Sequence, residues 1–227
     1  IRRIQPDPNQ IKAAAVKLQS SKQPIIIAGG GVLYSEAEKE LSNFAKKHNI
    51  PVTPTVMGIG CMDRDDPYYI GAIGALGVGS SNSLSKDTDL VLAVGTKLGD
   101  FTTGSWANFE NKDFKLVSIN TTRFDVTKHL ATPVISDAKV GFEELSKALG
   151  DWKAPNKWFE RAVKERTEWD SYVDKESGPT NQKLPSYAHA VGAVYRNADP
   201  SDIVVTAAGG LVGEVVQIWK PKQKNTF

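Results

Sequence analysis

Short apolar runs that alternate with helical segments are the feature that most constrains the fold of this 227-residue chain. The first run, residues 24–28, contains only proline, isoleucine and alanine, which is typical of a strand buried on both faces. Further strands of this kind are predicted at residues 52–56, 89–94, 114–119 and 133–135. This alternation indicates an α/β fold, a Rossmann-like parallel sheet with helices on both faces.

Start and stop signals place helices between these strands. Asp7, with a proline directly after it, predicts a first helix that ends near Ser20. Ser35 and Glu38 have the spacing of a capping box and predict a second helix. Later helices are predicted at residues 80–85 and at 138–149, the last capped by Asp137 and stopped by Gly150.

The character of the chain changes after residue 150. We interpret residues 1–150 as one complete α/β domain and residues 151–183, a charged helix with an aromatic stripe, as a helix and linker. Residues 184–227 predict the beginning of a second, truncated α/β unit. Within that unit a helix is predicted at 185–197 and a buried strand at 203–207.

Glycine-rich loops follow two of the predicted strands. Residues 29–31 are three glycines, which either form a tight turn or present backbone N–H groups to a phosphate; we favour the turn. Residues 95–100 follow the central strand, where this fold builds ligand sites. The aromatic and hydroxyl side chains of 101–106 either line a pocket or pack against a neighbouring subunit.

Composition excludes several classes of function. The net charge of +2 gives no field suited to nucleic acid or an anionic membrane, and no apolar run is long enough to span one. Cys61 is the only cysteine, which excludes an internal disulfide, favours the cytoplasm and is more typical of a packed side chain than of a nucleophile.

The polar residues give no metal or catalytic site. Three widely separated histidines lack partners at metal-ligand spacing, so we predict no metal ligand and no catalytic residue. His48 falls in a last helical turn, where a cation suits the helix dipole. Residues 63–66 are interpreted as a solvated surface turn.

The segment around Gly209, Gly210 and Leu211 is the most informative short motif. A predicted buried strand breaks into paired glycines and then a helix, an arrangement that offers N–H groups to a diphosphate. Its position after a complete α/β domain strengthens this interpretation. These three residues are the predicted cofactor-binding residues.

This order of units resembles the middle domain and the start of the diphosphate-binding domain of thiamine-diphosphate-dependent enzymes, the superfamily of acetolactate synthase and pyruvate decarboxylase. Three stretches are similar to the trihydroxycyclohexanedione hydrolases of myo-inositol catabolism. They are GTKLGDFTTGSW at 95–106, SINTTRFDVTKH at 118–129 and TAAGGLVGE at 206–214. That family hydrolyses a carbon–carbon bond of a cyclic 1,2-dione, giving a deoxyglucuronate.

The resemblance implies thiamine diphosphate and Mg²⁺ as cofactors, a small cyclic dione as substrate, and a homo-oligomer. In the family, a glutamate of a preceding domain promotes ylid formation and a Gly-Asp-Gly to Asn motif holds the magnesium; neither occurs here. We therefore expect the chain to be a fragment, inactive without the missing domains of the same protein. Self-association is expected through Trp158, Trp169, Trp219 or their neighbours.

Two rival functions stay open at this stage. The α/β domain could hold FAD or another nucleotide in the cleft near residues 29–31, which nothing in the sequence supports directly. It could also be a scaffold and subunit interface. A yellow colour or a bound nucleotide would support the first, and an empty cleft with a large apolar face would support the second.

Overall fold

The fold is described from a computed structural model, in which residues 2–221 and 226–227 are described. The strands are β1 (Pro24–Ala28), β2 (Val52–Pro54), β3 (Leu90–Val94), β4 (Lys115–Asn120) and β5 (Thr132–Ile135). The helices are α1 (Pro8–Gln19), α2 (Gly30–Tyr34), α3 (Glu38–His48), α4 (Gly79–Asp87), α5 (Asp100–Thr103), α6 (Arg123–Val126), α7 (Ala138–Leu149), α8 (Asn156–Glu176), α9 (Tyr187–Asn197) and α10 (Gly210–Ile218). Two short 3₁₀ turns lie at Val56–Gly58 and Lys128–Leu130.

The five predicted strands are confirmed and form one parallel sheet in the order β2-β1-β3-β4-β5. Ile26 of β1 is paired with Val52 on one side and Leu92 on the other, so β1 lies inside the sheet. Every residue of β1, β2 and β3 is buried, as their apolar runs predicted. The predicted α/β fold is therefore correct.

Helices cover both faces of the sheet. One face, with Ile26, Leu92 and Val117, packs against α1, α3 and α7. The other face packs against α4 and α8, where Ile25 and Ile27 contribute to a separate apolar cluster with residues of both helices. Burying each of these aliphatic side chains contributes about 1.5–3 kcal/mol to the stability of the fold.

The helix ends confirm two predicted caps and correct a third. Asp7 and Asp137 each accept a backbone N–H of the helix that follows. The capping box of Ser35 and Glu38 was wrong. The N–H of Ser35 donates to the carbonyl of Gly31 and ends α2, so the chain completes a short helix before α3 begins after Ala37.

The long helix α8 is anchored on the sheet domain rather than standing apart from it. Trp158 is buried, and its indole N–H donates to the carbonyl of Pro24 at 2.8 Å. Further along the helix, the guanidinium of Arg166 reaches backbone carbonyls of the turn at 64–69. Arg64 of that turn is itself buried and paired with Asp170 at 3.2 Å, so the prediction of a fully solvated turn was wrong there.

The predicted buried strand at 203–207 is not present. The segment is extended, but the side chains of Ile203 and Val205 are 71% and 89% exposed. Val204 donates its N–H to the carbonyl of Thr226, and no strand of the described residues pairs with the segment. A strand needs a hydrogen-bonded neighbour, which local sequence cannot supply.

The tryptophans expected to mediate self-association are not at the surface. Trp158 and Trp219 are 3% and 8% exposed, and Trp169 is half-buried with its ring against Gly79. That expectation was wrong for Trp158 and Trp219, because Trp158 packs against the sheet and Trp219 packs among α8, α9 and α10. The large apolar side chains that are exposed among residues 156–221 are Tyr172, Leu184, Tyr187, Val194, Ile203, Val205 and Leu211.

Candidate functional sites

A cleft of about 880 Å³ opens at the carboxyl ends of the strands. The chain leaves β1 towards β2 on one side and β3 lies on the other, so the cleft is at the point where the strand order reverses. Open parallel sheets place their ligand sites at such a point. The loops after β1 and β3 form its inner walls, as the sequence predicted for residues 95–100.

The glycines at the bottom of the cleft allow the two loops to touch. A Cβ on Gly29 would be 2.4 Å from the carbonyl oxygen of Gly95, and one on Gly31 would be 2.6 Å from the Cα of Gly95. Gly29 donates its N–H to Val94 and Gly31 donates to Gly95. Because these two N–H groups already donate hydrogen bonds within the chain, they are not available to a phosphate. This supports the tight turn and not the phosphate-binding loop.

The cleft walls carry neutral hydroxyls and few charges. Ser35 and Thr55 lie on the wall nearer β1 and β2, and Lys97 and Asp100 on the wall nearer β3. Two further carboxylates are neutralised: Asp125 pairs with Lys128 at 2.8 Å and Asp137 with Arg3 at 2.9 Å. Exposed side chains of Tyr34, Met57 and Phe101 stand at the mouth.

The structure brings together two of the three sequence stretches that carried the resemblance. The side-chain amide of Asn120 donates to the carbonyl of Thr96 at 3.2 Å, and the rings of Trp106 and His129 are 4.4 Å apart. Phe101 lines the cleft, as one of the two alternatives for 101–106 predicted, whereas Trp106 packs against aromatic rings of its own chain. Packing of this stretch against a neighbouring subunit stays a prediction. The two stretches form one continuous wall.

The paired-glycine turn lies at the exposed start of α10. Gly209 has φ 137° and ψ −175°, a conformation essentially restricted to glycine, and a Cβ on Gly209 or Gly210 would meet nothing within 4 Å. The N-terminus of the nine-residue helix has no side-chain cap, and Gly209, Gly210 and Leu211 are exposed. The residues fit a diphosphate group, because they offer unhindered donors at a helix N-terminus.

Helix α10 is held on two sides. Val215, Ile218 and Trp219 pack with residues of α8 and α9. On the other side Val216 packs with Ile59 and Ala72 of the sheet domain. The direction of the helix, and so of the glycine turn, is fixed by both contacts.

His48 is buried, not a surface cation. Its Nδ1–H donates to the carbonyl of Trp152 at 2.7 Å, and its Nε2 lies 3.0 Å from the hydroxyl of Ser146. Burial lowers the pKa of His48 below 6.5, outweighing the carbonyl contact, so the neutral form is favoured. The expectation that the site suits a cation was wrong, because desolvation exceeds the helix-dipole effect.

We predict that His48 makes the fold less stable in acid. The imidazole of the unfolded chain binds a proton near pH 6.5, whereas that of the folded chain binds one only at lower pH. The contribution of neutral His48 to the free energy of unfolding is therefore fully present above about pH 6.5 and is lost as the pH falls below it. Replacing His48 with glutamine should flatten the decline in unfolding free energy between about pH 7 and 5. The control Lys12→Met, an exposed substitution on α1, should keep the wild-type decline. Equal slopes for wild type and His48→Gln in urea titrations would contradict this.

Cys61 lies in the core with no exposed surface. Burial raises the pKa of its thiol to about 12, which leaves the thiolate unpopulated near neutral pH. It belongs to the same apolar cluster as α3 and the sheet face above it. This agrees with a packed side chain.

Two classes of site are not found in the described residues. Residues 2–221 and 226–227 contain no group of three or more His, Cys, Asp or Glu side chains placed to hold a metal ion. No helix in the same ranges is long and apolar enough to cross a membrane.

Comparison with known proteins identifies the class. Residues 11–145 match the family model described as thiamine pyrophosphate enzyme, central domain. The chain therefore belongs to the thiamine pyrophosphate enzyme family, and it contains the central domain. The resemblance inferred from the sequence is confirmed.

The most similar curated relatives given by the comparison share one name, 3D-(3,5/4)-trihydroxycyclohexane-1,2-dione hydrolase. Those of Geobacillus thermodenitrificans and Clostridium tetani are each 32% identical over all of this chain. That of Clostridium botulinum is 33% identical over 92% of it. The chain spans 38%, 39% and 36% of these relatives, respectively.

Proposed function

We propose that this chain is part of a thiamine-diphosphate-dependent hydrolase that opens the ring of 3D-(3,5/4)-trihydroxycyclohexane-1,2-dione to 5-deoxy-glucuronate. The observation that carries the proposal is similarity along the whole chain to relatives with that one name. Similarity that extends past the central domain supports it further, because the match continues through the glycine turn.

In the proposed enzyme Gly209, Gly210 and Leu211 hold the diphosphate of the cofactor. Gly209 supplies the backbone conformation that only glycine adopts freely, and the N-terminus of α10 supplies N–H donors and a favourable dipole. When bound, thiamine diphosphate supplies the carbon nucleophile and electron sink that carbon–carbon cleavage needs. The chain's own contribution is to bind and orient the diphosphate end.

The sheet domain contributes by fixing α10. Val216 of α10 packs on Ile59 and Ala72, and the side-chain amide of Gln217 lies 3.4 Å from the carbonyl of Gly77. The sheet domain thus positions the glycine turn. We propose that Mg²⁺ accompanies the diphosphate; residues 184–227 contain no Gly-Asp-Gly motif to hold it.

We also propose a homo-oligomer in the cytoplasm. The lone, buried thiol suits a reducing compartment. The exposed apolar side chains of α9 and of the extended segment after it, Val194, Ile203 and Val205, are a surface suited to burial against the rest of the protein or a second subunit.

The test is turnover of the cyclic dione by the complete protein that contains this chain. We expect ring opening that requires both thiamine diphosphate and Mg²⁺, and none from the 227-residue chain alone. Pyruvate serves as the control substrate. Cofactor-dependent condensation or decarboxylation of pyruvate without opening of the dione would agree with the thiamine pyrophosphate enzyme family. It would contradict the dione as substrate.

A further inference from the structure

We propose that the cleft between the loops after β1 and β3 is a binding site for a polyhydroxylated monocarboxylate, a ligand of the sugar-acid class. The site is separate from the glycine turn of α10. The inference is drawn from the groups that line the cleft and does not rest on the proposed reaction.

Two hydroxyl groups that are open to the cleft are the first observation. Ser35 and Thr55 line the cleft and are only 8% and 5% exposed. No hydrogen bond within the described residues engages either hydroxyl, and neither oxygen is a fully buried atom without a partner, so both keep access to the cleft. A hydroxyl can both donate and accept, so a pair of them is matched by a ligand that carries several hydroxyl groups.

The charges on the walls of the cleft favour a ligand with a single negative charge. Of the carboxylates on the walls, Asp125 and Asp137 are already paired with Lys128 and Arg3. Lys97 and Asp100 make no ion pair within residues 2–221. One free ammonium group suits a single carboxylate, and the free carboxylate of Asp100 accepts hydrogen bonds from ligand hydroxyls.

The backbone argues against a diphosphate here. The N–H groups of Gly29 and Gly31 donate to Val94 and Gly95, and α2 has only five residues, too short for an effective dipole. A diphosphate would also approach the carboxylate of Asp100. A sugar acid needs no loop of N–H donors, and its single carboxylate can bind near Lys97 without approaching Asp100.

Exposed apolar groups complete the site. Phe101 is 73% exposed on the wall that carries Lys97, and Tyr34 stands at the mouth on the opposite wall. The C–H face of a sugar or cyclitol packs against an aromatic ring, while its hydroxyl edge faces the polar groups. The cleft thus offers both surfaces that an amphipathic ring needs.

The test is calorimetric binding to the 227-residue chain, with D-glucuronate, myo-inositol and ADP as probes. D-glucuronate should bind at least about tenfold more tightly than myo-inositol, which lacks the carboxylate, and more tightly than ADP. Lys97→Met should remove that preference, and Ser35→Ala and Thr55→Val should each weaken D-glucuronate binding by about fivefold.

Lys12→Met, an exposed substitution on α1 away from the cleft, is the matched control and should leave binding unchanged. Thermal unfolding of each variant, with a midpoint near that of the wild type, shows that lost binding is not lost folding. Absence of D-glucuronate binding, equal binding by the wild type and Lys97→Met, or tighter binding of ADP would overturn the proposal.

Discussion

Replacing Gly95 with alanine should destabilise the fold by about 3 kcal/mol, because the residue combines two demands that a side chain cannot meet. Its φ of +61° lies in the left-handed region. A Cβ would also be 2.6 Å from the Cα of Gly31, and backbone on both sides cannot yield without separating β1 from β3. Urea unfolding of the variant gives the measurement.

Gly99→Ala is the matched control for this prediction. Gly99 lies in the same loop with φ −70°, and a Cβ there would meet nothing within 4 Å. Its unfolding free energy should stay within about 0.5 kcal/mol of the wild type. If the two variants lose similar stability, the loops after β1 and β3 do not pack as described.

Replacing Arg166 with methionine should destabilise the chain by about 3 kcal/mol. The guanidinium donates to the carbonyls of Asp66 at 2.9 Å, Tyr69 at 2.5 Å and Arg64, and it pairs with Asp170 at 3.1 Å. Methionine fills much of the volume but donates no hydrogen bond. The carbonyls of Arg64 and Tyr69 then lose this donor, whereas Asp66 keeps the N–H of Tyr69 and Asp170 keeps Arg64. Differential scanning calorimetry should show a lower unfolding temperature.

Two further substitutions distinguish the effect of the Arg166 hydrogen bonds from the effect of its charge. Arg166→Lys keeps the charge but cannot bridge several carbonyls at once, so it should recover only part of the loss. Lys164→Met removes an exposed pair with Glu168, 3.8 Å apart on the same helix, and should change stability by less than about 0.5 kcal/mol. A loss for Lys164→Met as large as that for Arg166→Met would contradict the specific role of Arg166.

The sheet could be predicted from the sequence because its strands are buried on both faces. Their apolar runs record that environment directly, as in Pro24–Ala28 and Leu90–Val94. The run at 203–207 looks the same but has no paired neighbour in the structure. Pairing depends on residues distant in sequence, so a local pattern predicts the tendency to form a strand and not the strand itself.

Local signals at helix ends were reliable only where no competing helix precedes them. Asp137 caps α7 because an extended strand leads into it. Ser35 has equally suitable chemistry, but Gly30–Tyr34 closes a helical turn first and uses the N–H of Ser35 at its own end. The sequence did not predict helix α2, because its start lies in three consecutive glycines and glycine has low helix propensity.

The candidate sites differ in how far sequence could predict them. Gly209 to Leu211 could be proposed from the sequence because a glycine pair before a helix is a local motif. The structure places them at an exposed helix start, and their contact with the cofactor stays a prediction. Ser35 and Thr55 were missed as cleft residues, since their shared burial arises only when the loops after β1 and β2 meet. The position of Thr55 directly after a strand was the one available signal.

The most direct test of the account is reconstitution of the complete, cofactor-free protein with thiamine diphosphate and Mg²⁺, followed by ring opening of the dione. Gly209→Ala should raise the thiamine diphosphate concentration for half-maximal activity by about tenfold, because φ 137° strains an alanine. Gly213→Ala, inside α10 with only ordinary contact to Leu76, should leave it unchanged. Ring opening without thiamine diphosphate, or identical cofactor dependence in wild type and Gly209→Ala, would contradict the assignment of the glycine turn to the cofactor.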